Sequence, residues 1–472
     1  MKNRVLRIPD HLAGQGTSIL GFLTSQSIAL PAACAGKGTC GLCRIRLDPA
    51  GRTNAADRKR IPTGLLKKGY RLACQHRARR GLTLTIPAGF NKHRRTRSDL
   101  ALGLDLGTTV IKAAAVDLTT GAVVRRQAVF NPQNNLGADV MTRITEAENG
   151  KNRRLVSLLK HGIDEVKRGL GLTEPVKTAV VGNPVMLSFY LGRSLSGLTR
   201  HPFTSAISER SIIKRHRDHV FPVIGGFVGG DTLAGLYALA DRAHAPLTRL
   251  YIDLGTNGEV AVMDRRQIWA ASTAAGPAFE GAGIACGSLA VPGAIDRVGF
   301  NDKFTFQTID NCRPVGFCAS GLIDLLASAL RSRHLAENGR LLKPIRIAGF
   351  SIRQDDIRIL QLAVAALHSG IQMLLAKTGL TPARLDEAVI TGEFGQHMDL
   401  DNMIRIGLLP SGIRRVRIVH DLALQGAILS LSDNRASDRI AKLKVKSRHL
   451  DLARQPEFQD RYVSALCLKP WP

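Results

Sequence analysis

Acidic and aromatic side chains are scarce in this chain, and long apolar runs and evenly spread cysteines are missing. Its 472 residues hold 38 Asp and Glu against 66 Lys and Arg, a formal charge of +28, and aromatic residues make up 5%. With so few aromatics there is no basic stripe interleaved with stacking rings, which argues against nucleic acid and leaves an acidic protein surface as the natural partner of the charge. No segment approaches 18 consecutive apolar residues, so no membrane span is expected. Lys2, Arg4 and Arg7 precede an apolar stretch ending LPAAC, as in a lipoprotein signal, but Asp10, His11 and the polar TSQS at 24–27 break it. Eight cysteines, sparse outside one cluster, exclude a disulfide scaffold and point to metal ligation in a reducing compartment, the cytoplasm.

What is present is enough apolar residue, 44%, for about three compact units. Residues 2–9 read as a strand, Thr17 caps a helix over SILGFLTSQSI, and CRIRL and LTLTI add short strands, giving a small α+β unit over 1–87. Residues 1–100 carry 20 Lys and Arg against 4 Asp and Glu, a net +16, and residues 88–100 form a basic linker. Beyond it the chain repeats itself. LDLGTT at 104–109 and IDLGTN at 252–257 lie 148 residues apart, each between two apolar strands, the second closing on an aspartate. A duplicated α/β domain with a cleft between its halves follows, over 101–245 and 246–432, with a tail at 433–472 and a long helix near 355–379.

Cys34, Cys40, Cys43 and Cys74 are separated by five, two and thirty residues. A loop wrapping a [2Fe–2S] cluster needs glycines, here Gly36, Gly38 and Gly41, so that backbone amides approach the sulfurs, and a fourth ligand from a distant segment. Zinc is the rival, although structural zinc sites usually pair two short knuckles and only one Cys-x-x-Cys exists. The surroundings resemble an adrenodoxin-type or bacterial ferredoxin (β-grasp), with RLACQ at 71–75 as its fourth-ligand segment. Cys286, Cys312, Cys318 and Cys467 have no such spacing and are expected to be buried thiols.

A Gly-Thr-Thr turn between strands presents amides and hydroxyls to phosphates, and the aspartate before it can hold Mg²⁺ or its waters. Two such turns across a cleft resemble the actin, sugar kinase and Hsp70-like ATPase superfamily, of RNase H-like fold. The resemblance implies that Asp105 and Asp253 hold Mg²⁺ as the catalytic pair. It further implies that Thr108, Thr109, Gly255, Thr256 and Asn257 bind ATP phosphates, and that Gly392 to Gly395 in ITGEFGQHMDL shape the adenosine pocket. Glu393 and VHDLALQGA at 419–427 depart from the superfamily's glycine-rich pattern.

A ferredoxin joined to this ATPase is similar to the reductive activators of corrinoid proteins. NPQNNLGADVMTRI, GGFVGGDT, AAGPAFEGAGIACG, FCASGLID and RHLDLARQPEF extend the resemblance along nearly the whole chain. It implies an ATP-dependent electron carrier that returns a cobalt(II) corrinoid protein of a methyltransferase system to Co(I), drawing on a low-potential donor, and it allows a homodimer. Members often carry an extra middle domain between ferredoxin and ATPase, where this chain has a short linker. Activation of another low-potential enzyme, a small-molecule kinase and a redox-sensing binding protein remain the alternatives.

Overall fold

The computed structural model describes residues 4–8, 17–25, 30, 38, 43–86, 100–172, 174, 176–207, 213–215, 217–241, 248–255, 257–392 and 398–471. In the N-terminal unit, strands β1 (Arg4–Arg7), β2 (Arg44–Asp48), β3 (Tyr70–Leu72) and β4 (Thr83–Ile86) lie in the order β1-β4-β2-β3, each pair antiparallel. Period-two alternation turns Ile45 and Leu47 of β2 and Leu84 and Ile86 of β4 inward. The helix Ile19–Ser25 closes this core with Ile19, Phe22 and Leu23. A second helix, Ala55–Arg60, starts at an Asn54/Asp57 capping box.

The first half holds β5 (Leu100–Leu106), β6 (Val110–Asp117), β7 (Ala122–Phe130), β8 (Lys177–Gly182), β9 (Ile213–Arg215) and β10 (Asp218–Val220), in the order β7-β6-β5-β8-β10-β9. The second begins with β11 (Arg249–Leu254), β12 (Gly258–Met263) and β13 (Ile268–Thr273). An insertion follows, a three-stranded sheet of β14 (Ala294–Asn301), β15 (Lys303–Thr308) and β16 (Gly316–Phe317) and a hairpin of β17 (Ile345–Ile347) and β18 (Phe350–Ile352). The chain then returns through β19 (Glu387–Gly392), β20 (Val416–Ile418) and β21 (Ser447–His449), completing the order β20-β19-β11-β12-β13-β21.

The repeat in the sequence is a repeat in topology. β5 and β11 each take an antiparallel hairpin partner on one side and a parallel strand, β8 or β19, on the other. Asp105 and Asp253 are the penultimate residues of these equivalent strands.

Between the sheets, the helix Gly230–Asp241 of the first half meets the helix Leu422–Ser432, which comes late in the chain yet packs on first-half strands. Ile428 lies against Gly103, and Lys177 Nζ donates to the Leu431 carbonyl at 3.2 Å. Their shared core mixes both halves, from Ala101 and Phe221 to Tyr251, Val389 and Leu424. The segment expected as a tail is integrated as well: Tyr237 donates to Asp433 at 2.6 Å, and β21 pairs with β13 at the edge of the second sheet. The helix Gln354–Thr378, capped by Gly379 at φ +66, is long and apolar enough to cross a membrane, but 78% of its most apolar window is buried in the second-half core.

Candidate nucleotide cleft and cluster site

Antiparallel pairing places Lys112 of β6 opposite Asp105 of β5. Both face a cleft that also takes Thr108, Thr109 and Asn183 from the first half and Asp253, Gly255, Asn257, Glu259, Gly392 and Asp421 from the second, with Asp231 at the start of the helix between them. The two Asp-Leu-Gly-Thr turns therefore line one space. Thr256 and Gly395, expected to join them, lie outside the described residues, as does Glu393.

The first turn is held from behind. The buried Arg143 donates to the Thr108 carbonyl at 2.6 Å, the Gly137 carbonyl at 2.9 Å and Asn134 Oδ1 at 2.6 Å, while Asn131 Nδ2 donates to the Gly107 carbonyl at 3.0 Å. This explains the NPQNN stretch: its side-chain amides and Arg143 occupy the turn's carbonyls and fix the turn from behind. Asn183 Nδ2 donates to Thr108 Oγ1 at 3.0 Å.

Among the described residues, side chains reach across the cleft. Thr109 Oγ1 donates to Glu280 Oε2 at 2.6 Å, and Lys112 Nζ donates to Asp421 Oδ1 at 2.6 Å, with Arg126 Nη1 3.7 Å from the other oxygen. Lys112 and Asp421 escaped the sequence reading. The signal for Lys112 was available, because a hairpin turning at Gly107–Thr109 pairs position 105 with 112. Asp421 gave none, since its partner lies 309 residues away.

The floor of the cleft is acidic and, although in touch with the opening, is enclosed by protein. Burial pushes Asp105 up to about 8, against the opposing pull of Lys112 and with further upward pushes from Asp231, Asp253 and Asp421. Burial raises Asp231 to about 7 and Asp253 to about 6, the latter opposed by a hydrogen bond from Tyr251 Oη at 3.0 Å, and it holds Glu259 well above the carboxylate range. A cation bound among these carboxylates would offset their mutual repulsion and favour their ionised forms. Among the described residues no three of His, Cys, Asp and Glu form a ready chelate. That fits Mg²⁺, which keeps several waters and takes one or two carboxylates along with phosphate oxygens, better than a fully protein-ligated ion.

In the N-terminal unit, Cys34 and Cys40 lie outside the described residues, while Cys43 and Cys74 meet with their sulfurs 3.4 Å apart and no disulfide between them. Two thiolates on one tetrahedral metal with bonds of about 2.3 Å sit roughly 3.8 Å apart, so the pair suits a shared iron. Gln75 Nε2 reaches Cys74 Sγ at 3.6 Å. Gly38, at φ +72, packs so tightly on Gln75 that a Cβ there would come within 2.7 Å of it, which accounts for a glycine in the loop. Of the other cysteines Cys286 and Cys318 are buried as expected, but Cys312 is exposed on the turn after β15 and Cys467 is part-exposed.

Residues 11–79 match the 2Fe-2S iron-sulfur cluster binding domain, residues 100–241 the RACo middle region, and residues 248–470 the C-terminal ASKHA domain of RACo. The middle region is thus the half built on β5 to β10 and is present, which corrects the expectation that a middle domain is missing. The chain is 31% identical to the corrinoid activation enzyme RamQ of Eubacterium limosum over 413 residues, 77% of this chain and 69% of RamQ. It is 25% identical to the Co(II) methylated amine-specific corrinoid protein reductase of Methanosarcina barkeri over 418 residues, 77% and 76% of the two chains. A solved reductive activator for corrinoid, iron-sulfur protein shares the fold, with a TM-score of 0.72 over 97% of this chain and 96% of that one at 23% identity. A cluster-binding unit, a duplicated cleft and these relatives agree: the chain belongs to the RACo family of reductive activators of corrinoid proteins.

Proposed function

We propose that the protein is an ATP-dependent reductive activator, passing an electron from a [2Fe–2S] cluster in its N-terminal unit to the inactive cobalt(II) form of a corrinoid protein in a methyltransferase system. The observation that carries the reading is the convergence of both Asp-Leu-Gly-Thr turns on one cleft in a chain that also brings Cys43 and Cys74 together. The family of the chain and the names of its relatives supply the corrinoid target.

Cys34, Cys40, Cys43 and Cys74 would hold the cluster, whose chemistry when bound is one-electron transfer. Asp105 and Asp253 would hold Mg²⁺, whose chemistry is to neutralise phosphate charge. Thr108, Thr109, Gly255, Thr256 and Asn257 would grip the phosphates from both halves, with Lys112 adding a fixed positive charge, and Gly392 and Gly395 would border the adenosine. Because one grip comes from each half, filling the cleft draws the halves together, and hydrolysis releases them. Such coupling is useful where the electron must go uphill. A gap of about 120 mV disfavours a one-electron step roughly a hundredfold, about 2.7 kcal/mol, which ATP turnover exceeds. Function in the cytoplasm fits a thiol-ligated cluster.

The test is cobalt(I) formation, followed by its visible absorption, when the chain is mixed with a cobalt(II) corrinoid protein, reductant and Mg-ATP. Asp253→Ala should lower ATP hydrolysis and cobalt reduction about a hundredfold or more while leaving the cluster spectrum intact. Phosphorylation of a small alcohol with no effect on cobalt would instead make the protein a kinase.

A further inference from the structure

The N-terminal unit also carries a concavity of about 510 Å³, walled on one side by residues 76–82, which follow Cys74 in the chain, and on the other by residues 47–52. Leu47 and Leu82 contribute to its floor, and Arg52, Arg77, Arg79 and Arg80, all exposed, stand around it; no carboxylate lines it among the described residues. The wall is fixed by hydrogen bonds. The buried Asp57 accepts from the Leu72 amide at 3.0 Å and is 2.7 Å from His76 Nε2, the Ile19 amide donates to the His76 carbonyl at 2.8 Å, and the Ala78 amide donates to the Thr17 carbonyl at 3.0 Å. Cys74 is part-exposed where Cys43 is buried, and Cys74 stands two residues before His76 of the concavity wall.

We propose that this arginine-lined concavity is the docking site for the acidic protein that delivers electrons to the cluster, and that it takes a carboxylate-bearing surface segment of that donor. The inference rests on the cluster reading above. Guanidinium groups recognise carboxylates in paired, directional hydrogen bonds, and the net +16 of residues 1–100 draws an acidic partner toward this end of the chain. Among the described residues, every lining residue falls between 19 and 82 and none comes from the ATPase halves. A donor needs only the N-terminal unit, whereas a corrinoid acceptor that answers to ATP must also engage the halves that move. In the docked complex one electron leaves the donor and is taken up by the cluster, with no bond or proton exchanged with this chain.

An acidic flavodoxin in its hydroquinone form is a suitable probe. It gives up one electron to become semiquinone. Two charge-reversal pairs of equal net change are compared in the full chain: Arg77→Glu with Arg79→Glu at the concavity, and Lys59→Glu with Arg60→Glu, exposed on the helix Ala55–Arg60. Binding of oxidised flavodoxin is measured by calorimetry, and cluster reduction by stopped flow. The concavity pair should weaken binding and slow reduction about tenfold or more, the control pair by less than about threefold, and reduction by the small methyl viologen radical cation should not slow in either. Equal losses in both pairs would reduce the effect to overall charge and overturn the site. Loss of viologen-driven corrinoid activation in the concavity pair alone would assign the surface to the acceptor and overturn the donor. Failure of viologen to reduce the unaltered protein would overturn the cluster reading instead.

Discussion

Asp421 has an uncommon backbone, φ +54, at the start of the helix Leu422–Ser432, and its carboxylate is held by Lys112. An incoming phosphate competes for the same ammonium, so the ion pair opposes nucleotide binding. Asparagine tolerates the left-handed backbone and removes the charge. Asp421→Asn should therefore tighten ATP binding about fivefold, as expected for a part-exposed pair worth about 1 kcal/mol. A weakened affinity by calorimetry would show instead that Asp421 is itself a nucleotide ligand. At the other site, Cys74→Ser should abolish the red-brown absorption of the anaerobically purified protein, while Cys286→Ser, in the insertion core, should leave it unchanged. A colourless native protein with stoichiometric zinc would reverse the metal assignment.

Among the elements, the crossing of the helices Gly230–Asp241 and Leu422–Ser432 depends on one missing side chain. A Cβ at Gly426 would lie 2.0 Å from the Ala234 carbonyl oxygen, a backbone atom with no freedom to yield. Gly426→Val should destabilise the protein by about 3 kcal/mol or more, read as a lower midpoint in urea; an unchanged midpoint would mean that the helices are not packed this closely. A second element-scale expectation concerns the helix Gln354–Thr378, where His368 stacks on Trp471 with ring centroids 4.3 Å apart and its Nδ1 has no hydrogen-bond partner. Burial lowers its pKa to about 4. The unfolded chain takes up this proton near the ordinary 6.5 and the folded chain does not until about pH 4. Its contribution, intact above pH 6.5, is thus lost as pH falls through that window, by on the order of 3 kcal/mol. The carboxylates of the cleft, with raised values, slope the other way. The readout is accordingly the stability difference between native protein and His368→Phe, which should be independent of pH above about 7.5 and shift in the variant's favour as pH falls to about 4.5.

Taken whole, the molecule was legible where its signals were local or repeated. The two Asp-Leu-Gly-Thr turns, the Cys43–Cys74 pairing and the long helix ending at Gly379 all follow from spacing and periodicity, and the structure places Asp105 and Asp253 at equivalent strand ends. Hidden were features made by distant segments: Asp421 against Lys112, Glu280 against Thr109, and β21 at the edge of the second sheet. No periodicity reports a contact across several hundred residues. The same separation bears on how the chain is made. Strands β5 to β8 leave the ribosome long before the helix Leu422–Ser432 that covers them, since Gly103 and Lys177 wait for Ile428 and Leu431. Until more than 250 further residues have been translated, the inner face of the first sheet lacks its cover and is the surface on which a chaperone has work to do during synthesis.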